Sequence, residues 1–143
     1  MNSHPTTDSF VVGKHVARFE PPDVVHLRPN GDVSLTETAT LIEFVGSLPR
    51  PEKGFIGLVD IGHAKRQDPA AMKLPGADEF LQAYRIHVFY NATFYHRTLI
   101  GIFSRVGKLL KNKGPLPDLM IFETETDART WIAKYREEST PST

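Results

Sequence analysis

The feature that most constrains this chain is one run: Gly54-Phe55-Ile56-Gly57-Leu58-Val59-Asp60-Ile61-Gly62-His63. It is the densest apolar stretch in the sequence, bounded by Pro49, Pro51 and Gly54 before it and by Gly62 after it. A run this short, rich in branched residues and without polar alternation, suits a strand buried on both faces. Such a strand needs helices above and below it, which implies an α/β sheet. The run leads into a polar stretch, Asp60 to Asp68, expected as a loop. In open α/β sheets the carboxyl end of a central strand is where binding sites form. One run thus sets an expectation for the fold class and for the position of a site, and it names no ligand.

The flanking sequence supplies the covering elements. Residues 1–10 read as a disordered polar tail and 138–143 as a second one, leaving 11–137 as one domain. Lys14 to Phe19 and Val24 to Arg28 read as a hairpin turned at Glu20-Pro21-Pro22-Asp23, because proline fixes φ and cannot continue a ladder. Its imperfect alternation marks an edge, with His15 and His26 sharing a face as surface polar residues. Pro29 to Asp32 reads as a turn. Ser34 opens a helix and Glu37 completes a capping box. Leu35, Ala39, Ile42, Val45 and Leu48 give that helix one apolar face.

Beyond the central run, Asp68 reads as an N-cap with Pro69 at the first helical position. Leu74-Pro75-Gly76 interrupts this helix, and a second segment runs from about Ala77 to Tyr84. Arg85 to Tyr90 reads as the next strand. Phe94, Leu99, Ile102, Phe103, Val106, Leu109 and Leu110 trace a long amphipathic helix. Leu119 to Phe122 is the last strand, and Thr124 caps a final helix whose inner face is Ala128, Trp131, Ile132 and Tyr135. The expected order is β-β-α-β-α-β-α-β-α: a single-domain α/β mixed sheet, mostly parallel, with flanking helices and an N-terminal antiparallel hairpin.

Composition narrows the function classes. The chain has 143 residues with 17 Lys plus Arg and 17 Asp plus Glu, so its net charge is zero. That argues against a dedicated nucleic-acid binder, which carries a basic excess. There is no cysteine, which excludes disulfides, thiolate metal sites and Cys nucleophiles and suits a reducing cytoplasm. The start, Met1-Asn2-Ser3-His4-Pro5, lacks the basic and apolar regions of a signal peptide. No apolar segment approaches the roughly 20 residues that span a bilayer. The expectation is a cytoplasmic protein.

Signals for chemistry are sparse. Asp60 and His63 near one strand end resemble an oriented base, but no Ser or Thr follows to act as nucleophile, and there is no G-x-S-x-G elbow. No phosphate-binding glycine motif is present. The six His residues show no H-x-x-x-H or H-E-x-x-H spacing. The expectation is no catalytic residue, no cofactor and no metal. Candidate binding residues are those of the polar stretch, Asp60, Gly62, His63, Lys65, Arg66 and Asp68. Tyr90, Phe94, Tyr95 and Arg97 join them, where aromatic residues exceed what one helix face needs. Arg97, Arg105, Lys108, Lys111 and Lys113 make the segment 95–113 basic. It is either ordinary cover for the sheet or a surface for an anionic membrane or an acidic partner.

The closing segment, Ile121-Phe122-Glu123-Thr124-Glu125-Thr126-Asp127-Ala128-Arg129-Thr130-Trp131-Ile132, resembles the STAS-like domains, on the branch similar to the sporulation anti-anti-sigma factor. The opening hairpin and the central strand ending in Asp60 resemble that family too, over about Gly13 to Tyr135. The resemblance implies a mixed sheet flanked by helices, no catalysis, and work done through protein partners or small apolar ligands. Switch members of the family carry a phosphorylated Ser or Thr just after the central strand. Here Ile61 to Asp68 contain no hydroxyl, so that switch does not carry over. The expected function is a non-enzymatic protein-binding module of bacterial cytoplasmic signalling. The alternative is a carrier or sensor of a small apolar ligand or lipid, with the cleft placed between the basic segment and the segment 68–84. Peripheral membrane contact and a homodimer are compatible with either.

Overall fold

The computed structural model describes residues 9–92 and 118–139. Eight strands are present among them: β1 (Ser9–Val12), β2 (His15–Glu20), β3 (Val24–Arg28), β4 (Gly31–Val33), β5 (Phe55–Asp60), β6 (Ala64–Gln67), β7 (Tyr84–Tyr90) and β8 (Asp118–Ile121). The helices are α1 (Leu35–Gly46), α2 (Ala77–Gln82) and α3 (Glu125–Ser139), with a 3₁₀ turn at Pro69–Lys73. The main sheet has the order β1-β2-β3-β5-β7-β8, and β4 pairs with β6 in a separate two-stranded ladder. The pairs β1–β2 and β2–β3 are antiparallel, and β3–β5, β5–β7 and β7–β8 are parallel. This is the expected mixed sheet with an antiparallel edge.

All six residues of β5 are buried, as a central strand covered on both sides requires. Leu58 is 0% exposed and Val59 is 8% exposed. Successive residues feed opposite cores. Ile56 and Leu58 join Val24, Ile86, Val88 and Tyr90 under Ala128 and Ile132 of α3. Phe55 joins Phe19, Val25, Ala83 and Tyr84 with Val45 of α1 on the other face. Gly54 has φ +93 and leads the chain into the strand. A Cβ there would meet the Ala83 carbonyl oxygen at 2.9 Å, so only glycine fits. Inside the strand, a Cβ on Gly57 would lie 2.8 Å from the His87 ring, which shows how closely β7 side chains lean over β5.

The capping box of α1 is present: Glu37 N–H donates to Ser34 Oγ at 3.1 Å, and Ser34 N–H donates to Glu37 Oε1 at 2.9 Å. Its buried stripe is rotated from the expected one. Thr38 and Val45 are buried and Ala39 is exposed. The Thr38 hydroxyl donates to Ser34 O at 2.9 Å, so the helix itself satisfies the group that made this position look polar. Two further boundaries differ. Ser9 and Phe10, expected in the tail, belong to β1, where Phe10 stacks on Phe44 with ring centroids 4.8 Å apart. Tyr84, expected at a helix end, opens β7. The α3 cap is as expected, with Asp127 N–H donating to Thr124 Oγ1 at 3.1 Å.

The hairpin histidines are not surface residues. His15 is 3% exposed and His26 is 5% exposed. They also lie on opposite faces. Arg18 pairs with His26, so His26 shares its side with Arg18 and Glu20, while His15 shares its side with Ala17 and Phe19.

Leu58 fills the core between sheet and α3, so Leu58→Ala should lower unfolding free energy by about 2–5 kcal/mol. Gly57→Ala should cost about 1–3 kcal/mol by forcing the His87 and Tyr84 rings away. Urea unfolding of both variants checks these values, and a cost below about 0.5 kcal/mol for Leu58→Ala would contradict the double-sided burial of β5.

Candidate functional site

The carboxyl ends of β3, β5 and β7 bring Arg28, Asp60 and Asn91 together. Asp60 is 7% exposed. Its Oδ1 accepts from Gly62 N–H at 2.9 Å and from Asn91 Nδ2 at 3.0 Å. Its other oxygen faces Arg28 Nε at 3.8 Å. Asn91 adopts φ +61, a left-handed conformation that asparagine tolerates and that turns the chain sharply off β7. Asp60 therefore ties two strand exits together.

The stretch after Asp60 is not the open polar loop expected. Ile61 N–H donates to Tyr90 O at 3.1 Å, and Gly31 N–H donates to His63 O at 2.8 Å. Ala64 to Gln67 then form β6, parallel to β4. Arg66 N–H donates to Asp32 Oδ1 at 3.1 Å, and Asp68 N–H to Val33 O at 3.4 Å. Sequence reading missed this ledge because both strands are short and polar, and because Pro29-Asn30-Gly31-Asp32 carries turn chemistry. The ledge leaves Gly62, His63, Lys65 and Arg66 exposed. Asp68 is exposed as well and caps the 3₁₀ turn through Ala70 N–H at 2.9 Å.

Asp60 and His63 do not form an oriented acid–base pair. The Asp60 carboxylate holds its own loop and Asn91, whereas His63 is exposed and anchored through its backbone carbonyl. Of the aromatic candidates, Tyr90 is 1% exposed and is not a ring displayed to a partner. Its hydroxyl lies 2.6 Å from His26 Nε2. Burial, with Asp60 and Glu125 nearby, raises the Tyr90 phenol above its ordinary pKa and keeps it neutral. Phe94, Tyr95, Arg97 and the rest of the basic segment 95–113 lie outside the described residues.

Two ionic clusters on the α3 side were not foreseen. Glu20 accepts from Arg129 Nη1 at 2.8 Å and Nη2 at 3.0 Å, and His26 Nδ1 lies 3.2 Å from the same carboxylate. Hydrogen bonds from His26 and Arg129 hold the Glu20 carboxyl far below the usual carboxylate range. The Glu20 bonds in turn raise Arg129. Asp23 is 7% exposed, accepts from Arg85 Nη2 at 2.8 Å, and is also held by Arg136. Arg85 lies under the Tyr135 ring, 5.3 Å from its centroid. A signal for this was available. Glu20 and Asp23 flank the two prolines of the hairpin turn, and Arg129 and Arg136 stand two helical turns apart on one face of α3.

On the opposite face His87 packs against Tyr84 with ring centroids 4.5 Å apart. The Tyr84 hydroxyl is buried without a hydrogen-bond partner among the described residues. On the same side α1 and α2 bound a groove of about 360 Å³, lined by Ile42, Val45, Leu48, Phe55 and Phe80, with Arg50 and Glu79 also in its wall. Among the described residues, no three His, Asp or Glu side chains gather as a metal ion would require. None of the described helices is long and apolar enough to cross a membrane.

The fold these elements build, a mixed sheet with an antiparallel edge hairpin and flanking helices, is SpoIIAA-like. A structure of an uncharacterized protein of the DUF3478 family from Shewanella loihica, described as having a SpoIIAA-like fold, superposes with TM-score 0.54 at 11% identity, over 92% of this chain and 98% of that one. The anti-sigma factor antagonist SpoIIAA in its unphosphorylated form aligns with TM-score 0.44 at 15% identity, over 87% of this chain and 97% of that one. No family model and no curated protein matches the sequence.

Burial pushes the His87 imidazole down to about 4 from 6.5. The unfolded chain therefore takes up this proton first. The stabilisation from neutral His87 is complete above about pH 6.5 and is lost as pH falls toward 4. Between pH 7.5 and 5.5 the loss is about 1 kcal/mol. Urea midpoints of wild type and His87→Gln at these two pH values measure it: the variant should lose that part of the pH dependence. Parallel curves would reject His87 as the source of this dependence.

Proposed function

We propose that this protein is a non-enzymatic, STAS-like protein-binding module of bacterial cytoplasmic signalling. Its partner surface is the β4–β6 ledge beyond the central strand. One observation carries the reading. The ledge is ordered by backbone hydrogen bonds and displays His63, Lys65 and Arg66 outward, while Asp60 beneath it is committed to Gly62 and Asn91. A rigid basic rim of this kind suits recognition of a partner surface. It does not suit turnover, which needs a reactive group free to meet substrate. The SpoIIAA-like fold supports a regulatory module of this sort. With no hydroxyl between Ile61 and Asp68, the ledge works without the Ser or Thr phosphate of switch members.

A photo-crosslinking residue at Lys65 tests this in the protein's own host cells. The expected result is one discrete adduct with a protein, lost when His63→Glu and Arg66→Glu are combined. A diffuse ladder that persists in that variant would reject the ledge as a specific surface. Phosphopeptide mapping should find residues 61–68 unmodified.

The groove between α1 and α2 favours a second reading, a carrier or sensor of a small apolar ligand. Its volume matches a small-molecule pocket, and its wall is largely apolar. Native mass spectrometry separates the two readings. A non-covalent ligand mass that disappears in Ala83→Trp, which fills the groove, supports the carrier. The apo mass alone favours the protein-binding module.

A further inference from the structure

We propose that the outer edge of β1 accepts an extended acidic segment of a partner protein as an added strand. This surface is separate from the β4–β6 ledge and stands independently of it. Among the described residues, β1 ends the main sheet and pairs with β2 alone. Val12 and His15 flank the Gly13-Lys14 turn, and in a two-residue hairpin the flanking pair exchanges both of its hydrogen bonds. Alternation then turns the N–H and C=O of Val11 and Ser9 away from β2, toward the open edge. Sheet edges are ordinarily guarded by charge, proline or a bulge. Ser9-Phe10-Val11-Val12 has no charge and no proline, and its register with β2 runs without a bulge.

The side chains add chemistry to this edge. Val11 is 64% exposed, the one large apolar side chain so exposed among the described residues. It pairs with Val16, which pairs in turn with Arg28, while Ser9 pairs with Arg18. Val11, Val16, Arg18 and Arg28 thus share one face of the sheet. The apolar cluster under α3 draws no described residue from β1 or β2, so this face is left outside it. Arg18 and Arg28 are 46% and 58% exposed in their side chains, and their carboxylate neighbours lie beyond hydrogen-bond distance, 4.0 Å to Glu20 and 3.8 Å to Asp60. Glu20 is already held by Arg129 and His26, and Asp60 by Gly62 and Asn91. An added strand that alternates apolar and acidic residues would cover Val11 with its apolar side chains and meet both arginines with its carboxylates. A basic strand would face like charge at both arginines.

Fluorescence anisotropy of the full chain tests the proposal. The probes are a labelled ten-residue peptide alternating Thr or Val with Glu, and its twin with Lys for Glu. At low salt the acidic peptide should bind at least tenfold more tightly than the basic one, and the difference should shrink as salt rises. Val11→Pro removes an outward N–H without touching the β1–β2 ladder, so it should weaken binding at least tenfold while circular dichroism and melting stay those of wild type. Arg18→Glu, on a solvated side chain, keeps the test valid should the proline variant fold poorly, and it should reverse the peptide preference. Equal binding of the two peptides, no binding of the acidic one, or indifference to both substitutions overturns the proposal. So does a wild-type dimer in sedimentation that Val11→Pro dissolves, which would make a second copy the occupant. Neither substitution touches His63, Lys65 or Arg66, so failure here leaves the ledge reading intact.

Discussion

A parallel strand buried on both faces has no water to satisfy its backbone. Every N–H and C=O of β5 must therefore find a partner in a neighbouring strand. That requirement sets the architecture. β3 and β7 supply the partners in parallel register, and parallel neighbours must be reached by crossovers that carry helices over the sheet. Because successive side chains alternate, β5 seeds two cores at once, Phe55 toward α1 and Ile56 toward α3. Where the sheet is deepest, side chains are too crowded for a Cβ at Gly57. At its margin the same physics relaxes, and β1 is short and partly exposed.

The helix on the second face is held differently from those on the first. α1 and α2 pack through a cluster of aromatic and branched residues. α3 buries Ala128 and Ile132 fully, with Trp131 and Tyr135 only partly covered, and is fastened at two further points by arginine–carboxylate pairs. Both carboxylates come from the β2–β3 turn. Such pairs gain little at a solvated surface, but removing one partner costs more where the other is buried, as Asp23 is. Their geometry fixes orientation: two points two turns apart leave α3 one rotation on the sheet. His26 extends the upper clamp inward to Tyr90, so a turn on the edge hairpin is linked through hydrogen bonds to the strand beside β5.

This explains which parts of the fold were legible in the sequence. The β5 run, the Ser34–Glu37 box, the Asp68-Pro69 start and the Ala128-Trp131-Ile132-Tyr135 stripe announce themselves because each is a local rule with a local signal. What was hidden depends on partners remote in sequence. His15 and His26 are each unremarkable polar residues until the register puts them on opposite faces, one against Glu37 and the other against Tyr90. Thr38 reads as polar until Ser34 O takes its hydroxyl. The Asp60-to-Asp68 stretch reads as a loop because its ladder is built with Gly31 to Val33, whose own sequence spells a turn. Of the candidate site residues, position at the strand end was legible for Asp60, Gly62 and His63. Their division into a buried tie and an exposed rim was not, because only the sheet decides which side chains turn inward.

That division constrains what the carboxyl end can do. An acidic residue at the end of a central strand is a familiar place for chemistry, since the strand fixes it and the loops leave room above it. Here the room is taken. Gly62 and Asn91 donate to the same oxygen of Asp60, Arg28 approaches the other, and the chain that leaves Asp60 folds down into a paired strand. Held through one oxygen by two donors, Asp60 serves as a post for the two strand exits. Cationic side chains nearby are exposed: Lys65 and Arg66 on the ledge, and Arg18 and Arg28 on the hairpin strands. Buried Asp23 and Asp60 and partly buried Glu20 tie turns and helices to the sheet, while Arg18, Arg28, Lys65 and Arg66 stay exposed. At the proposed ledge and β1 edge, electrostatic complementarity would act first on the choice of partner and on its rate of arrival.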